Sequence, residues 1–76
     1  MSKADEMFKK LGYKINNLSN SHIIQYKIDR DNEFHFVYIR IDFYKRLKNI
    51  NIDGTISMEE LQAINEKVKE LGWNEN

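Results

Sequence analysis

The stretch "NINIDGTISMEE", residues 49–60, has the residue types and spacing of a metal loop. A 12-residue calcium loop places oxygen ligands at positions 1, 3, 5, 9 and 12, with a glycine at position 6 for the sharp turn. Asn49, Asn51, Asp53, Ser57 and Glu60 fall on those ligand positions, and Gly54 falls on the glycine. Three features oppose calcium. Only Asp53 and Glu60 carry charge, which merely neutralises a divalent ion. Ile50 and Ile52 would be stranded in an exposed loop, whereas a strand gives both a face. The preceding run, with Lys45 and Lys48 at inward positions, does not read as the helix such a loop requires. Helix capping accounts for Ser57 and Glu60, and Asp-Gly is a common turn pair. The expected reading is therefore a strand end and a cap, with no metal or cofactor; the calcium loop is the alternative.

A second candidate is "YIRIDFYKRLK", residues 38–48. Here Arg40, Lys45, Arg46 and Lys48 are interleaved with Tyr38, Phe43 and Tyr44. Cations that hold phosphates beside aromatics that stack bases are a device of single-strand binding. The competing reading is a central strand with core aromatics and a charged turn. His22 and His35 lack ligand partners at zinc spacing. Ser19 and Ser21 beside His22 lack the glycine-framed elbow of a nucleophile. No acid–base pair of carboxylates stands out, so the residues argue for a non-enzyme.

Composition narrows the classes further. Seventy-six residues make one small domain, near the size at which a core needs help from a metal, a staple or a partner. The chain has no cysteine, which excludes disulfides and thiolate sites. No apolar run approaches a membrane span, and nothing resembles a signal peptide, so a cytoplasmic protein without membrane contact is expected. Twelve basic residues balance twelve acidic ones. That balance argues against nucleic acid as the main partner without excluding a local patch.

These residues must be positioned by an α+β fold. Ala4, Met7, Phe8 and Leu11 share one helical face, which predicts a helix over about 3–11. Ser2 stands at its N-cap, and Gly12 ends it so that Tyr13 can fold back on Phe8. Alternation predicts strands over about 22–29, 34–43 and 47–52, with "NNLSNS" as a polar loop. A second helix over about 58–71 starts with a Ser57/Glu60 capping box, with Ile56 and Leu61 placed as a hydrophobic staple. Its apolar stripe is Leu61, Ile64, Val68 and Leu71, and Gly72-Trp73 repeats the ending of the first helix. The expected order is helix, three-stranded antiparallel meander, helix, with both helices on one face of the sheet. The middle strand is apolar on both sides. A sheet face open to water normally alternates with polar residues, so Phe34, Phe36 and Tyr38 become the expected partner or dimer face.

"ADEMFKKLGYK" at the start and "DGTISMEELQAINEKVKELGW" at the end, with the "IIQYKI…IRIDFYK" strand pattern between, resemble small proteins encoded by phages and prophages of low-GC Gram-positive bacteria. The resemblance covers nearly the whole chain. It implies an origin in a bacterial host and a fold; the group has no established activity, so no site residue transfers. The resulting expectation is an accessory protein that acts by protein–protein contact as a homodimer, with nucleic-acid binding through residues 38–48 as the alternative.

Overall fold

The computed structural model describes residues 2–17, 22–31 and 36–73. Among these the order is α1 (Lys3–Lys10), β1 (Lys14–Asn17), β2 (Ile23–Asp31), β3 (Phe36–Tyr44), β4 (Asn49–Asp53) and α2 (Met58–Glu70). The strands form one antiparallel sheet in the order β1-β2-β3-β4. This corrects the expected three strands to four. The added strand, "KINN", holds a single apolar residue, so its alternation is invisible in the sequence. It is set instead by main-chain pairing, with Ile15 opposite Tyr26 and Asn17 opposite Ile24.

Both helices close in the same way. Ser2 accepts from the Asp5 amide at 3.1 Å, and Ser57 and Glu60 form a reciprocal capping box. At the other ends, Gly12 N–H donates to Lys9 and Tyr13 N–H to Phe8; Gly72 donates to Lys69 and Trp73 to Val68. These are paired Schellman bonds, and the positive φ of Gly12 (99°) and Gly72 (74°) permits them. Each bend delivers an aromatic ring to the core.

The core lies between the helices and one sheet face. Ile24, Tyr26 and Ile28 of β2 and Ile39, Ile41 and Phe43 of β3 are buried together with Phe8, Ala63 and Ile64. Phe8 stacks on Tyr26 at 4.0 Å and meets Tyr13 edge-on at 5.4 Å, while Tyr26 meets Phe43 and Phe43 meets Trp73. Such pairs contribute roughly 0.5–1.5 kcal/mol each beyond their area.

The stripe of α2 differs from the expected one. Ala63, Ile64 and Lys67 are its buried residues, Val68 and Leu71 are half-buried, and Leu61 is 37% exposed. The expected staple divides accordingly: Ile56 packs on the core while Leu61 stands out. The cause is the neighbouring helix. Lys67 faces α1 and reaches Asp5 at 3.5 Å and Glu70 at 3.6 Å. The rotation that satisfies this buried cation turns Leu61 roughly 120° away, at 3.6 residues per turn.

Candidate functional site

Three regions hold the groups capable of chemistry or contact. The first is the seam between the helices. Tyr26 Oη donates to Asp5 Oδ1 at 2.6 Å, Lys67 Nζ reaches the same oxygen, and Glu70 Oε2 accepts from the Ala4 amide at 2.8 Å. Burial is the largest influence on Asp5 and raises its pKa. The bond from Tyr26, the Lys67 charge and the bond from Ser2 together outweigh it, so Asp5 lies below the ordinary carboxylate range. Burial, then the Asp5 contact, pushes the Tyr26 hydroxyl far above its usual value. At neutral pH this is a fixed Tyr–Asp⁻–Lys⁺ chain. It ties β2, α1 and α2 together.

The second region is the sheet face that the helices leave open. Alternation places Tyr38, Arg40, Asp42 and Tyr44 of β3 there, beside Gln25 and Lys27 of β2 and Asn49, Asn51 and Asp53 of β4. The described side chains of this face are therefore mostly polar, around Tyr38, Tyr44 and Ile23. Asp42 is 2% exposed at its centre. Gln25 Nε2 donates to one carboxylate oxygen at 3.0 Å. Arg40 Nε at 3.1 Å and Asn51 Nδ2 at 3.5 Å donate to the other. The charge of Asp42 raises the Arg40 pKa. Three donors from three strands satisfy the carboxylate, so it clamps β2, β3 and β4. The sequence signal was a lone acid between Ile41 and Phe43, flanked at i−2 by an arginine; its cross-strand partners emerge only from the register.

The expected site residues divide between regions. Tyr38 is on the open face, 38% exposed; Phe36 enters through its backbone pairing opposite Asp31, and Phe34 lies outside the described residues. Arg40 is held by Asp42, apart from Lys45, Arg46 and Lys48, which are exposed together in the β3–β4 turn. Leu47, 73% exposed, projects between them. Shallow grooves of about 650 and 500 Å³ flank that turn, one against Ile50 and Asn51, the other against His22 and Ile23. Ser19, Ser21 and His35 lie outside the described residues.

The residues of the alternative calcium loop are arranged otherwise. Asn49, Asn51 and Asp53 lie along β4, paired with β3. Successive same-face residues on a strand are roughly 7 Å apart and cannot converge on one ion. Glu60 Oε1 accepts from the Ser57 amide at 3.1 Å, and its Oε2 accepts from Tyr13 Oη. Among the described residues no group of three or more His, Asp or Glu side chains is placed to hold a metal.

The third region is the β4 edge. α1 touches β1 and stacks Phe8 on Tyr26 of β2, while Trp73 after α2 packs on Phe43 of β3. On α2, Leu61 and Met58 are 37% and 66% exposed, and on the core-side face of β4 Ile52 is 41% exposed. These are three of the five large exposed apolar side chains among the described residues.

No protein-family model matches the chain, and no curated protein or solved structure does. No helix among the described residues is long and apolar enough to cross a membrane.

Proposed function

We propose that this chain is a non-enzymatic protein-interaction module that works as a homodimer. The observation that carries the reading is that β4, an edge strand, leaves Ile52 exposed, with Leu61 and Met58 also exposed at the start of α2. A small monomer gains nothing from leaving such side chains in water, and a partner laid against them removes that cost. The use of Asp42 and Glu60 in structural bonds, to Gln25 and to the Ser57 amide among others, fits a binding role. By the resemblance of its terminal motifs, the protein serves as a phage or prophage accessory factor in the cytoplasm of its bacterial host. Sedimentation equilibrium at micromolar concentration tests the assembly: the wild type runs as a dimer and Ile52→Lys as a monomer. A wild type that stays monomeric contradicts the proposal.

A second reading has its own observation. Lys45, Arg46 and Lys48 stand exposed in one turn beside Tyr44, a cationic tip on a neutral chain. Single-stranded nucleic acid is the fitting ligand. Salt-sensitive retention on single-stranded DNA, lost in the Lys45→Ala/Arg46→Ala/Lys48→Ala variant, supports it; no retention at low salt removes it.

A further inference from the structure

We infer that β4 pairs antiparallel with β4 of a second copy, about a two-fold axis that passes between the two Asn51 residues and fuses the two sheets into one. This rests on the interaction-module reading above and names its partner and register.

The edge itself is open to pairing. Natural edge strands are usually protected by lysine, proline, a bulge or a covering element. "NINID" contains no lysine, arginine or proline, and its pairing with β3 runs residue for residue from Asn49 to Asp53. Its sequence also complements itself. With Asn51 facing Asn51, Ile50 of each copy lies opposite Ile52 of the other, and Asn49 lies opposite Asp53. Centring the pair on Ile50 or Ile52 instead shortens the ladder and breaks one set of isoleucine pairs. A slip by one residue turns the helices of the two copies to opposite faces of the sheet.

Charge favours the same arrangement. Lys48 adjoins one end of β4 and Asp53 forms the other. Antiparallel self-pairing brings the lysine of each copy beside the aspartate of the other, at both ends of the interface. The sheet faces agree, since the axis keeps the core-side faces of the two β4 strands level and lays Ile52 of each copy against Ile50 of the other. Asn51 then has a defined task. One N–H already reaches Asp42 at 3.5 Å, and its amide has another N–H and a carbonyl oxygen to offer. In this register two such amides face each other across the axis and can exchange hydrogen bonds.

The chain has no cysteine, so single-cysteine variants report the register without background. Paired strand positions lie within disulfide range. Under mild oxidation Asn51→Cys is expected to form a self-disulfide. An equimolar mixture of Asn49→Cys and Asp53→Cys, both at exposed positions, is expected to give the mixed disulfide in excess over either self-disulfide. Cross-linking of Ile50→Cys or Ile52→Cys in place of Asn51→Cys overturns the register. A dimer by sedimentation in which none of the five positions cross-links overturns the β4 interface and leaves the homodimer standing. A protein that is monomeric by sedimentation overturns both.

Discussion

The two edges of the sheet are written in similar letters, "KINN" and "NINID", yet they are finished differently. At β1 the single isoleucine, Ile15, packs on the core, and Lys14 and Asn16 face water. α1 lies directly against this strand. At β4 Ile50 packs inward, but Ile52 stays 41% exposed. The N-terminal edge is a closed border and the β4 edge is an unfinished core. The seam between the helices, where Lys67 meets Asp5 and Glu70, holds α2 against α1, and Leu61 and Met58 of α2 stay exposed.

The largest expected effect is at the bend that joins β4 to α2. Gly54 has φ +119°, and a Cβ there would lie 2.8 Å from the Tyr38 carbonyl oxygen and 3.1 Å from Ile39 Cγ1. Gly54→Ala is expected to cost about 3 kcal/mol in denaturant unfolding, from left-handed strain plus the clash. Gly72→Ala has open space around its Cβ and costs less, about 1 kcal/mol for its φ alone.

Acid titration tests the seam that holds α2 against α1. The Asp5 pKa is lowered from 3.8, so its stabilising contribution is full above that value. It is lost as pH falls through the lowered folded-state value. Asp5→Asn should therefore melt earlier than the wild type at neutral pH, and the gap should narrow on acidification below about pH 4. A gap that stays constant with pH would show that the Asp5 charge contributes nothing.

Smaller again is the turn that leads into β4. Lys48 sits at φ 55°, a left-handed position that favours glycine. Lys48→Gly is expected to raise stability by about 0.5–1 kcal/mol in the same assay. The smallest effect belongs to β1: Asn16→Lys adds a charge to a border already exposed and should leave both stability (within about 0.5 kcal/mol) and sedimentation unchanged. Loss of the dimer in that variant would erase the contrast between the edges.

The sequence reveals features whose causes are local. Capping at Ser2 and Ser57, the paired leucine–glycine–aromatic endings and the alternation of β2 and β3 all arise within a few residues, and all are present in the fold. What escapes it depends on distant partners. β1 exists because Ile24–Lys27 offers it a ladder. Lys67 is buried because Asp5 and Glu70 meet it, and that pairing carries Leu61 outward from its expected place in the stripe. Asp42 is satisfied by Gln25 and Asn51, which the register brings alongside from neighbouring strands. The candidate interface was hidden for the same reason: β4 becomes an edge only once β1 and β2 have paired on the other side of β3.

Amide hydrogen exchange, followed residue by residue over a hundredfold range of protein concentration, tests the central claim most directly. If a second copy covers β4, protection of the amides in Asn49–Asp53 rises with concentration while that of Lys14–Asn17 does not change. Protection that is independent of concentration at both edges, or that rises at β1 instead, would contradict the account.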